Sequence, residues 1–117
     1  MRRSSRNGPP AVSSLDRVSI RLIKAQLAPF ARTHKGIFIL DGPAVESGAR
    51  HDDVDLDVYC VFPAEQMSEA LESARVVLRN FAGLNVAFHQ QEEISNALLS
   101  FLGPRAVVIG ERRLAAR

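Results

Sequence analysis

The stretch DDVDLDVYCVF, residues 52–62, places Asp53, Asp55 and Asp57 at every second position. Val54, Leu56, Val58, Cys60 and Phe62 fill the alternate places. In an extended strand, successive side chains point to opposite faces. One face therefore packs into a core while the other lines up the acids. Asp suits strands poorly, and like charges on one face repel, so the arrangement needs a reason. Side chains two apart on a strand face lie about 7 Å from each other, within reach of shared divalent cations. Mg²⁺ takes oxygen ligands, commonly one or two carboxylates with substrate phosphates completing its shell. Cations held there would neutralise the repulsion of the acids and, in phosphoryl chemistry, the charge of a leaving pyrophosphate. A second reading makes this face the solvated side of an edge strand, where charge blocks aggregation.

The segment before it also has chemical content. FILDGP, residues 38–43, reads as an apolar strand running into a turn at Asp41, Gly42 and Pro43. Arg50, in the loop that follows, is a candidate for phosphate because its guanidinium binds in bidentate fashion. His34, His51 and His89 are scattered and share no metal-ligand spacing. Cys60 falls on the apolar face of its strand and reads as core. As the single cysteine it excludes an internal disulfide and a cysteine-built zinc site.

The elements that must position these residues follow from periodicity. The 117 residues, 46% hydrophobic, fit one domain with a real core. The net charge is only +2, so charge does not point to nucleic acid. No apolar run is long enough to span a membrane. No secretory h-region follows the first basic residues, and a cytoplasmic location is the expectation.

Residues 1–12, rich in Arg, Ser and Pro, read as a disordered basic arm. Ser13 and Ser14 offer an N-cap, and Leu15, Val18, Leu22, Ile23, Leu27, Phe30 and Ala31 predict an amphipathic helix to about His34, stopped by Gly36. GIFIL, residues 36–40, predicts a strand buried on both faces, and 41–52 a polar loop. After the acidic strand, Pro63 opens a helix whose buried stripe runs from Met67 to Phe81. LNVAFH (84–89) predicts a strand, 92–102 a shorter helix, and AVVIG (106–110) a last strand. The order α-β-β-α-β-α-β predicts an α/β (α+β) domain of about four strands covered by three helices; a small mixed sheet is the expectation, although order alone does not say which strands run parallel.

A strand ending in glycine, a loop, then Asp-x-Asp on the next strand resembles the nucleotidyltransferase superfamily of DNA polymerase β, in particular its minimal, antitoxin-like members. ILDG followed by DDVDLDV carries the resemblance, and the final VVIGER is similar to the ending of the minimal domains. The likeness covers roughly residues 15–112, and the domain is expected over 13–112, with a charged tail at 113–117.

It implies that Asp53 and Asp55 are the catalytic, metal-holding pair, with Asp57 a further ligand. A second register would pair Asp55 with Asp57; Asp52 on the expected flanking position favours the first. Gly42 and Pro43 then occupy the phosphate-binding turn. The family has a serine where Pro43 stands, and its third carboxylate best matches Asn85.

The activity implied is Mg²⁺-dependent transfer of a nucleoside monophosphate from an NTP, ATP being the expected one, to a hydroxyl of a protein partner. The resemblance implies a helical toxin partner in a toxin–antitoxin pair; a homo-oligomer is the other expectation. A catalytically inactive binding module of the same fold, and a small metal-dependent phosphodiesterase, are the alternative functions.

Overall fold

A computed structural model describes residues 17–46, 54–81 and 83–110. They form helix α1 (Arg17–His34), strand β1 (Ile37–Asp41), a 3-10 turn (Pro43–Val45), β2 (Val54–Val61), α2 (Ala64–Leu78), β3 (Leu84–Gln91), α3 (Asn96–Phe101) and β4 (Val107–Ile109). The mixed four-stranded sheet with three α-helices is the architecture that the hydrophobic pattern predicts. The expected N-cap at Ser13 and Ser14, the arm at 1–12 and the tail at 113–117 lie outside the described residues.

The strands stand in the order β3-β2-β1-β4. β1 runs antiparallel to both β2 and β4, and β2 runs parallel to β3. The short loop before β2 permits an antiparallel pair, whereas α2 carries the chain over the sheet and returns it parallel.

Apolar alternation sorts the side chains into two layers. Phe38 and Leu40 of β1 and Leu56, Val58 and Cys60 of β2 pack against Ile23, Leu27 and Ala31 of α1 and Met67, Ala70 and Ala74 of α2. The opposite face carries a smaller cluster in which Leu98 of α3 covers Ile37, Ile39, Tyr59 and Val61. β1 is thus buried on both sides, as its continuous apolar run predicts. The end of α1 meets the middle of α2 where His34, stacked on Phe30 of its own helix at 3.8 Å between ring centres, sets Nε2 3.6 Å from Glu69.

Several boundaries differ from the sequence reading: α2 ends at Leu78, short of Phe81, and the last strand keeps only Val107–Ile109 of residues 106–110. Lys35, not Gly36, takes the left-handed conformation at the end of α1, with φ 55°. Gly36 serves a different need: its N–H donates to Ala31 O at 3.2 Å, and a Cβ there would overlap the Phe62 ring and sit 2.5 Å from Val61 O. The expected polar loop 41–52 begins with Asp41 still in β1, and Ala44 and Val45 turn back into the core. α3 starts four residues later than predicted because Ser95 caps it, its hydroxyl oxygen accepting from Leu98 N–H at 3.1 Å. β3 extends two residues further, to Gln91, because parallel pairing with β2 continues to Val61.

Candidate functional site: an acidic sheet end beside a glycine turn

Asp55 and Asp57 project from β2 on the face opposite α1 and α2. α3 covers that face over Tyr59 and Val61 and leaves the acidic end open, so Asp55 is exposed and Asp57 half-exposed. The antiparallel register sets Asp41 of β1 directly opposite Asp57, and directly opposed residues share a face. On the other side, the parallel register sets Asn85 beside Asp55 and His89 beside Tyr59. The sheet therefore gathers side chains from three strands at one end.

The glycine turn meets this end. Gly42 has φ 99° and ψ −178°, backbone geometry open almost only to glycine. A Cβ there would lie 3.1 Å from Asp57 Oδ2 and 3.3 Å from the Asp55 carbonyl oxygen. Pro43 opens the 3-10 turn that follows, in which Val45 N–H donates to Gly42 O at 3.1 Å. The turn is stiff, and it contributes one backbone donor fewer than a serine at Pro43 would.

Two of the carboxylates have protein partners. Asp57 Oδ1 lies 3.0 Å from His89 Nε2, within hydrogen-bond distance. The His89 ring in turn stacks on Tyr59, 4.5 Å between centres. Asp41 Oδ2 accepts from Gly103 N–H at 3.0 Å, fastening the chain after α3 to the end of β1. Burial, and then the charges of Asp57 and Asp41, hold the Tyr59 hydroxyl above its ordinary pKa. On the other face of β2, burial pushes the Cys60 thiol up to about 12, the Arg75 charge offsetting this only in part.

Of the residues singled out by sequence, the structure brings Gly42 and Pro43 together with Asp55 and Asp57. Asp53 and Arg50 lie outside the described residues. Carboxylate oxygens are the hard donors Mg²⁺ takes, and Asp55 on its open sheet end fits that chemistry. Asp57 is already engaged by His89. Among the described residues, no group of three or more His, Cys, Asp or Glu is placed to hold a metal ion.

Asp41 and His89 belong to this end of the sheet, although the sequence reading gave them no part in it. The signal for Asp41 was Ile37, Ile39 and Asp41 alternating on one face. His89 had no such signal, because its partner depends on the β2–β3 register.

No protein-family model, curated protein or solved structure matches the chain, so the work of this site is read from its own side chains.

Proposed function

We propose that the domain is a nucleotidyltransferase-like module that moves a nucleoside monophosphate from an NTP to a hydroxyl of a protein partner. The observation that carries this reading is the contact of the positive-φ Gly42 turn with the acidic end of β2. A turn without a Cβ lets a triphosphate approach the backbone beside carboxylates. Asp53 and Asp55 would hold Mg²⁺, which supplies charge neutralisation along the triphosphate.

The remaining work falls to positioning. The acceptor oxygen forms a bond to the α-phosphorus while the bond to the β-phosphate oxygen breaks, and pyrophosphate leaves in line. No protein nucleophile is required. In this reading a partner protein presents the hydroxyl; in a toxin–antitoxin arrangement, that partner is the toxin.

A second reading is favoured by a specific observation. Asp57 is held by His89, Asp41 by Gly103, and Pro43 lacks the N–H a phosphate would use. These features suit a module that keeps the fold and binds without catalysis.

One experiment separates the readings. The protein is incubated with Mg²⁺, ATP labelled at its α-phosphate, and total cell protein. Transfer of label to protein with matching release of pyrophosphate, lost in Asp55→Asn, supports the transferase. Hydrolysed ester without transfer indicates a phosphodiesterase. Nucleotide binding with neither product indicates the binding module.

A further inference from the structure

Among the described residues β3 is an edge strand of eight residues, LNVAFHQQ, with no Lys, Glu, Asp or Pro in it. Edges of this length are usually blunted by charge, proline or a bulge, because their unpaired backbone groups template another strand. The bonding pattern identifies those groups. Val54 N–H donates to Gly83 O at 3.0 Å and Phe62 N–H to Gln91 O at 3.1 Å, at the two ends of the β2–β3 ladder. In a parallel ladder, alternate residues turn their N–H and C=O to the same neighbour. Asn85, Ala87, His89 and Gln91 therefore bond β2, and Leu84, Val86, Phe88 and Gln90 present theirs on the outer edge.

The side chains of these outward residues lean toward α2, where two hollows open along the strand. One, of about 250 Å³, is lined by Val86, Phe88 and Leu78 with Arg75 and Arg79 on its rim. The Arg75 guanidinium rests over the Phe88 ring at 5.5 Å. The other, of about 260 Å³, is lined by Ala64, Met67, Gln90 and Glu92. A strand added to β3 would direct alternate side chains over both.

We propose that the β3 edge docks an extended, acidic segment of a partner protein as a fifth strand, with acidic side chains meeting Arg75 and Arg79 over the Phe88 floor. Charge at the first hollow selects this occupant: Arg79 lines it, and Arg75 does so while lying 4.0 Å from Glu72. A second copy pairing β3 antiparallel with β3, in a register centred on Val86 and Phe88, would keep both α2 helices on one side of the sheet and bring the arginines of the two copies together. The termini of the chain, MRRSSRNGPPAV and RLAAR, are basic and would meet the same repulsion. The proposal does not depend on the activity of the acidic face.

The test uses the full chain and a fluorescein-labelled ten-residue peptide alternating Glu with Val, against its Lys counterpart. Amide exchange at Val86 and Phe88 should slow on adding the Glu peptide. The Lys peptide should bind about tenfold more weakly or worse. Val86→Pro should remove binding and leave the circular dichroism unchanged, since the Val86 N–H lies outside the β2 ladder. Arg75→Glu with Arg79→Glu, at exposed helix positions, should reverse the preference and covers the case in which Val86→Pro fails to fold. Unchanged exchange at Val86 and Phe88, or equal affinity for the two peptides, would overturn the proposal. So would a concentration-dependent dimer that Val86→Pro abolishes, because a second copy would then fill the edge.

Discussion

Along β2, Leu56, Val58 and Cys60 are fully buried beneath α1 and α2, while Asp55, next to Leu56, is exposed and Asp57 is half-exposed. Both sets ride on the same ladder to β3, so that pairing does not distinguish them. What differs is the cover. Two long helices seal the apolar face from end to end, whereas α3, only six residues long, shields the other face over Tyr59 and Val61 and stops short of the acids. One face supplies stability, and the other leaves polar groups from β1, β2 and β3 gathered in the open. A strand can carry such a cluster only because its opposite face is so well packed.

The largest effects should therefore come from the buried face. Leu56→Ala removes a completely buried side chain between the sheet and the helices. It should cost about 3 kcal/mol in urea-induced unfolding. A change within about 0.5 kcal/mol would show that the helices do not seal this face.

Cys60 gives the same face a pH signature. Its folded pKa, about 12, lies above the ordinary thiol value of 9.0. A group whose folded pKa is raised contributes stability fully present below the unfolded pKa and lost as pH rises through the folded one. Above pH 9 the unfolded chain sheds this proton while the folded chain keeps it. Stability should then fall by about 1.4 kcal/mol per pH unit from this group alone. Cys60→Val should remove that component of the alkaline slope. Identical slopes in the two proteins would contradict the burial argument.

Gly42 lies between the two regimes, a backbone device serving the acidic face. Gly42→Ala forces a Cβ into φ 99° and against Asp57 Oδ2. A loss of about 2 kcal/mol in thermal or urea melts is expected. An unperturbed melt would mean that the turn relaxes away from β2.

The smallest effect sharpens the comparison most. Asp55→Asn sits one residue from Leu56 yet should shift stability by less than about 0.5 kcal/mol in metal-free buffer. A loss approaching that of Leu56→Ala would make Asp55 a structural residue.

Much of this contrast was legible in the sequence. The two-residue alternation of residues 53–62 assigns each β2 side chain to a face, and the three- and four-residue steps of α1 and α2 give the helices that cover one of them. Element order left open which strands run parallel, because a turn and a crossover can place the same strand on different sides. That uncertainty hid His89, whose bond to Asp57 exists only in the parallel β2–β3 register. Asp and Gly together signal a turn at Asp41, yet the strand runs one residue further, and Gly103 N–H holds the carboxylate there. Gly36 reads as a conformational stop, yet packing against Phe62 is what requires it. Local pattern shows which face a residue takes, and long-range register decides what it meets.

The central claim is that the open acidic face and the Gly42 turn together receive a metal–nucleotide. Isothermal titration of ATP into the full chain, with and without Mg²⁺, for the parent and Asp55→Asn, tests it most directly. The account predicts a binding heat in the parent that appears only with Mg²⁺ and is lost in Asp55→Asn, while the metal-free melts of the two proteins coincide. The absence of Mg²⁺-dependent ATP binding in the parent, or equal binding in Asp55→Asn, would contradict it.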